Sequence, residues 1–254
     1  MKSRKGQVFI NILLVIAVLV FLLSGYKLYQ VFSEYQKGAN EYDALRMVAL
    51  GLDVPKATKP QEKFVPANVD FSALQKMNGD IVAWIQFEEP AAISYPVVRG
   101  EDNTTYLHTT FEGKHNAAGT LFMDAGNDAQ FVDFNTLIYG HNMKNGSMFG
   151  QLRKYKKQDF YEKYPYFYIQ TPDGRIATYK IFAVSIVEDD SKLYQKWCDT
   201  TEECASYIQL ARSEALYPTG VEVPEGARIV SLSTCTNVKE TERLLVQGVL
   251  VEED

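Results

Sequence analysis

Hydrophobic positions divide the chain into two unequal parts. From Val8 to Leu23 the sequence is apolar with one polar interruption, Asn11. Carried through Tyr26 the run reaches 19 residues, close to the roughly 20 that cross a bilayer as a helix. Lys2, Arg4 and Lys5 precede it, and this basic flank predicts a cytoplasmic tail over 1–7, a membrane anchor over 8–26 and export of everything that follows. Tyr26 and Tyr29 suit the outer interface. A cleaved signal peptide is the rival reading, and a buried core helix a third. No small-x-small cleavage pattern follows, and the run exceeds a usual signal core, so an uncleaved anchor is expected.

Beyond the anchor the periodicity changes. Leu28, Val31, Phe32 and Tyr35, then Tyr42, Leu45 and Met47–Leu50, recur at helical spacing and predict a helix over 27–50. Pro55, Pro60 and Pro66 break any period and predict an extended linker over 51–69. The folded domain should begin near Asp70, with a short helix over 71–77 ended by Asn78-Gly79. Strands are then expected over 81–87, 94–98, 120–123 and 136–139, the second near a sheet edge because of Pro96. A charged helix over 151–160 follows. Segments 166–171 and 176–187 flank the turn Pro172-Asp173-Gly174 as a long hairpin. Residues 202–216 predict an amphipathic helix, with Tyr207, Leu210, Ala211 and Leu216 on one side, before two closing strands at 228–232 and 244–251. The expected class is mostly β with added helices (α+β): a barrel-like domain over 70–254 with N-terminal helices and a helix inserted before the last two strands.

Composition narrows the function. The 254 residues are 46% hydrophobic and 13% aromatic, enough for a packed core and unlike a disordered chain. The net charge of −6 argues against a nucleic-acid partner. No phosphate-binding loop and no dinucleotide fingerprint is present. Three cysteines, Cys198, Cys204 and Cys235, leave at least one thiol unpaired in an exported protein. Cys198 and Cys204 flank a segment in which Thr200 and Glu203 read as a helix capping box. They could be bridged or could simply pack as small apolar residues. No cysteine–histidine spacing suits zinc.

The remaining chemistry concentrates near the C-terminus. The apolar strand Arg228–Leu232 runs directly into Ser233-Thr234-Cys235, and Arg243 opens the final strand after a polar connection. A thiol at one strand end and a guanidinium at the start of the next should share a sheet rim. A thiol becomes a strong nucleophile once ionised, which a nearby imidazole or guanidinium favours. An arginine cannot easily serve as a base but can donate hydrogen bonds to an oxyanion. Of the three histidines, His141 lies just past the apolar strand ending at Tyr139-Gly140, whereas His108 and His115 lie in a polar loop and are weaker candidates. The bland alternatives are a loop imidazole bonded to a backbone carbonyl, a buried structural thiol, and an arginine paired with Glu240 or Glu242.

The ordered set His141, Cys235, Arg243 resembles the sortases. Their T-L-x-T-C strand end reads Ser231-Leu232-Ser233-Thr234-Cys235 here, with serine in place of the first threonine. Tyr139-Gly140-His141-Asn142, Asp102–Leu107 and Gly119–Asp124 match as well, so the resemblance spans about 70–251. The helical lead-in and the inserted helix near 202–216 are similar to class B sortases. The lid motif usual in class C is not found. The resemblance implies a closed barrel and a membrane-anchored cysteine transpeptidase, with the catalytic domain outside the cell. Such an enzyme cleaves a C-terminal sorting signal related to L-P-x-T-G or N-P-x-T-N in secreted proteins. It passes them through a thioester to an amine of a peptidoglycan precursor or cross-bridge. Cys235 would be the nucleophile, Arg243 the oxyanion donor and His141 the acid and base, with no metal or organic cofactor required. Asn103, Leu107, Ser233 and Thr234 would line the peptide groove. A pilin-polymerising sortase, a papain-like cysteine peptidase (whose cysteine precedes its histidine) and a non-catalytic tethered binding domain are the alternatives.

Overall fold

The computed structural model describes residues 4–51 and 64–254. Much of the linker expected over 51–69, with Pro55 and Pro60, lies outside the described residues, as does the start of the basic tail. One helix, α1 (Arg4–Leu50), joins the apolar run to the lead-in without a break. Its two ends behave differently. Large apolar side chains from Val8 to Leu23 are exposed, while Tyr42, Leu45 and Ala49 are buried against the domain. Arg46 Nε donates to the Ser94 carbonyl at 3.0 Å. Glu34 Oε1 accepts from the Ala117 amide at 2.9 Å, and the Tyr42 hydroxyl donates to the Gly119 carbonyl. The exposed stretch is long and apolar enough to cross a membrane. Phe64, Ala67 and their neighbours continue the approach: the Gln86 side-chain amide both donates to and accepts from the Ala67 backbone. Helix α2 (Phe71–Met77) then opens on Asp70, whose carboxylate accepts from the Ala73 amide.

Eight strands close into a barrel in the order β1-β2-β3-β4-β7-β8-β6-β5. They are β1 (Ile81–Gln86), β2 (Ser94–Val98), β3 (Leu121–Met123), β4 (Asn135–Tyr139), β5 (Tyr166–Gln170), β6 (Ile176–Glu188), β7 (Ile229–Cys235) and β8 (Glu242–Glu253). The barrel corrects the expected edge at Pro96. Strand β2 has neighbours on both sides, but its parallel ladder with β3 holds only Val97 and Val98, so the proline lies beyond that ladder and needs no donor there. Two further expectations shift. The charged helix over 151–160 is a 3₁₀ helix (Phe149–Lys156) followed, after extended Lys157, by the short α3 (Gln158–Lys163). The inserted helix α4 (Thr201–Ser213) stops before Leu216, which is exposed and whose amide instead bonds the Val184 carbonyl in β6.

Helix α4 is tied to the barrel through polar groups as well as apolar ones. Buried Tyr207 donates its hydroxyl to the Leu193 carbonyl at 3.0 Å and accepts from Asn135 and Gln247. Ser231 donates to Asn135 Oδ1 at 2.7 Å and accepts from Gln247. The serine that departs from the threonine usual in the motif is therefore fully buried and its hydroxyl fully used. This network matters because Leu193 belongs to the connection leaving β6, which forms one wall of the site. The Cys198–Cys204 pair is disulfide-bonded and Cys235 is free. Thr200 Oγ1 accepts from the Glu203 amide as a capping box requires, but the Glu203 carboxylate reaches back to Asp199 rather than to the cap residue itself.

Candidate active site

Strand register alone gathers the three chemical groups. Strands β4 and β7 are parallel, with Tyr139 opposite Ser233, so the second residue beyond β4 falls level with Cys235. That residue is His141. Strands β7 and β8 are antiparallel, with Cys235 directly opposite Arg243. The three side chains line a single cavity of about 440 Å³ at the barrel rim. Asn103, Leu107, Ser233 and Thr234 line it too, so every residue expected at the site is in one place.

Each of the three is held by a specific contact. Gly140 admits the tight approach that delivers His141: a Cβ there would lie 2.3 Å from Leu121 Cδ2 and 2.7 Å from the Phe149 ring. The His141 Nε2 lies 2.7 Å from the Leu107 carbonyl oxygen. A carbonyl can only accept, so Nε2 carries the proton and Nδ1 is the basic nitrogen. Burial lowers the His141 pKa, the neighbouring His108 lowers it further, and the Leu107 carbonyl opposes both. The rings of His108 and His141 stack 5.9 Å apart at 21°. Cys235 is the last residue of β7 and only partly buried, and its carbonyl accepts from the Asn142 side chain at 2.8 Å. The loop carrying the imidazole is thereby fastened to the strand carrying the thiol. Arg243 does not form the side-chain pairs considered with Glu240 and Glu242. It donates to both of their backbone carbonyls, and Nη2 meets the Asp189 carboxylate at 3.0 Å.

The groove's polar lining is largely self-satisfied. Asp124 accepts from Asn103, Tyr139 and Lys196, the last at 2.8 Å. Burial alone would raise its carboxyl, but Lys196, the Gly126 amide and Tyr139 outweigh that and hold it below its usual value. Asn103 also accepts from the Ala125 amide, so it braces the wall as well as lining it. Ahead of it, Asp102 accepts from the amides and hydroxyls of Thr105 and Thr104 at the start of the 3₁₀ turn Thr105–Leu107, and these donors bring its carboxyl down to about 2. Ser233 shares a 2.8 Å hydrogen bond with Tyr194, whose pKa is raised chiefly by burial. Thr234 Oγ1 is buried without a partner among the described residues.

Sequence reasoning missed Asp189, Asp124, Tyr139, Tyr194 and Lys196 as wall residues, and Asn142 as the tether. Three had a readable signal in their place at strand ends: Tyr139 closes β4 opposite Ser233, Asp124 follows β3, and Asp189 follows β6, whose antiparallel pairing with β8 sets Val187 against Arg243. Tyr194, Lys196 and Asn142 depend on how loops fold over the rim.

A sulfur, an imidazole and a guanidinium around one groove suit nucleophilic attack on a carbonyl, with proton transfer and oxyanion stabilisation at hand. Comparison with known proteins points the same way. Residues 89–251 match the family model of the sortase domain. Sortase B of Listeria monocytogenes is 36% identical over 182 residues, 70% of this chain and 72% of that protein. Sortase B of Staphylococcus aureus is 28% identical over 99% of both chains. Among solved structures, sortase B from Bacillus anthracis in complex with AAEK1 aligns at a TM-score of 0.73 and 29% identity, covering 87% of this chain and 100% of that one. A Staphylococcus aureus sortase B–substrate complex aligns at 0.74 and 26% identity, covering 87% and 99%.

Proposed function

The chain belongs to the sortase family, as a class B cysteine transpeptidase, and on that premise we propose how its residues divide the work, what they act on and where. Cys235 Sγ attacks the carbonyl carbon of the sorting signal's threonine, forming a C–S bond. Arg243 donates to the resulting oxyanion, a task its fork of N–H groups performs with fixed geometry. His141 gives a proton to the departing amine as the C–N bond breaks, leaving a thioester and a neutral imidazole. An incoming amine then attacks the thioester, His141 Nδ1 takes its proton, and the thiolate leaves. Asn103, Leu107, Ser233 and Thr234, as lining of the groove, contact the signal peptide. No metal or organic cofactor enters this scheme.

The observation that best supports it is the direct cross-strand pairing of Cys235 with Arg243, with His141 level with both in the same cavity. The substrates in this reading are secreted proteins ending in an L-P-x-T-G- or N-P-x-T-N-like signal, and the acceptor is an amine of the cell wall. The exposed apolar stretch of α1, over 8–26, serves as a single membrane span with residues 1–7 cytoplasmic and the domain over 70–254 outside, the segment 27–69 leading into it. The test is a library of sorting peptides offered to the full chain in detergent micelles. A mass increase on Cys235 equal to the acyl fragment, discharged onto an added amine, is expected. Cleavage without any such adduct, or an adduct that only water discharges, would overturn the proposal.

A further inference from the structure

Cys235 has a second cavity at its back. Together with Thr236 and Asn142 it forms one wall of a concavity of about 720 Å³, separate from the groove described above. The opposite wall is built by the 3₁₀ helix at Phe149–Lys156 and by α3, and it is strongly basic. Arg153, Lys154, Lys156, Lys157 and Lys163 line it, against a single carboxylate, Asp159. Five cations and one anion stand together in a chain whose net charge is −6. Among the described residues none of the five forms an ion pair, and four of them are exposed.

The wall is rigid. Tyr155, in the middle of the basic run, is fully buried and donates its hydroxyl to the Tyr164 carbonyl at 2.8 Å and the Glu89 carbonyl at 3.1 Å. Lys154 Nζ lies 5.5 Å from the centre of the Phe160 ring, which also lines the cavity. Like charges lining one cavity repel one another, so a fold that gathers them without ion-pair partners has a place for an external anion.

We propose that this cavity is the acceptor subsite, and that it selects amines carried on an anionic molecule, one bearing phosphate or carboxylate groups. The inference rests on the transpeptidase reading above and extends it to the second substrate. The groove with Arg243 holds the acyl part on one side of the sulfur, and the acceptor approaches from the other. Its anionic part is drawn to the lysines, which places its amine at the thioester carbonyl. The same positive field disfavours an ammonium ion and so favours the neutral amine that attack requires. The C–N bond forms as the C–S bond breaks, and the amine proton passes to His141. An anionic lipid surface would also attract lysines, but it would meet a convex face. Here the charges surround a hollow that includes the nucleophile.

The test uses the full chain in micelles, acylated with a sorting peptide, and three acceptors: Gly-Gly-Gly-amide, Gly-Gly-Gly extended by two glutamates, and Gly-Gly-Gly-phosphoserine. Acyl-enzyme formation is read by intact mass and aminolysis by kcat/KM. Binding of the same fluorescently labelled acceptors to the Cys235→Ala chain is read separately. At low salt the anionic acceptors should exceed the neutral one by about ten-fold, a preference that falls as salt rises. The glutamate and phosphoserine arms identify which anion the lysines take. Lys156→Gln/Lys157→Gln should erase the preference and Lys156→Arg/Lys157→Arg should keep most of it. Equal rates for all three acceptors, or a loss in the glutamine variant that is the same for all three, would overturn the inference. So would tight, lysine-dependent binding to phosphatidylglycerol vesicles without acceptor preference. A thioester that forms and discharges without preference sinks this inference alone. Selective binding with no thioester sinks the transpeptidase reading and leaves the anion site standing.

Discussion

The two cavities that meet at Cys235 treat charge in opposite ways. In the groove every ion has a partner: Asp124 with Lys196, Arg243 with Asp189. Behind the sulfur, Arg153, Lys156, Lys157 and Lys163 form no ion pair among the described residues. Paired charges act as fixed donors and acceptors with defined direction, suited to recognising a peptide backbone and a developing oxyanion. Unpaired charges act as a field, which gathers a ligand by sign and tolerates many shapes. On the proposed reading, one substrate is read by geometry and the other by charge, with a single sulfur between them.

Replacing the shared atom should have the largest effect. Cys235→Ala is expected to abolish thioester formation while leaving both cavities in place. Normal turnover by that variant would remove the nucleophile from the scheme. Arg243→Lys tests the groove alone. A point charge can keep the pair with Asp189 but not the fork of donors, so kcat/KM for the sorting peptide should fall by about 100-fold, the scale of losing an oxyanion donor. Near wild-type rates would show that sign, not geometry, matters on this side too, and the contrast would collapse. Gly140→Ala should lower stability by about 1–3 kcal/mol, because the added methyl must displace Leu121 or Phe149. Urea titration checks this. An unchanged midpoint would mean that the wall yields easily and that His141 is less firmly placed than its contacts imply.

The smallest expected effect is on pH dependence. Burial, then His108, lowers the His141 pKa. His108→Gln removes the second cause, so the His141 pKa should rise. A reaction that needs the imidazolium is lost as pH rises through that pKa, so its alkaline limb should move to higher pH in the variant. A limb that stays put, or moves down, would rule out His108 as an influence on the proton-transfer group.

Much of the barrel was legible because its pattern is local. Strands β1, β2, β5 and β6 were marked to within a residue or two, β1 by alternation and the β5–β6 hairpin by the Pro172-Asp173-Gly174 turn. The class of fold followed from their order and from the inserted helix. The failures were also local. A lysine-rich helical period over 151–160 could not reveal that extended Lys157 would divide it. Pro96 could not report that the neighbouring ladder is only two residues long. Ser231 departs from the motif's threonine, but only the fold shows that its buried hydroxyl joins the Asn135–Tyr207–Gln247 network.

The identities of the thiol, imidazole and guanidinium, and their positions at strand ends, could be read from the order of residues, because a strand's end is a property of its own segment. The shared rim of thiol and guanidinium was expected from their adjoining strands, but the convergence of all three groups could not be read. It depends on β7 lying parallel to β4 and antiparallel to β8, a pairing between segments about 90 and a few residues apart in the chain. The partners of Arg243, the tether from Asn142 and the two-sided distribution of charge around Cys235 likewise exist only once the barrel has closed. Hydrogen bonds and fields act through space, and the chain alone does not specify which distant groups will become neighbours.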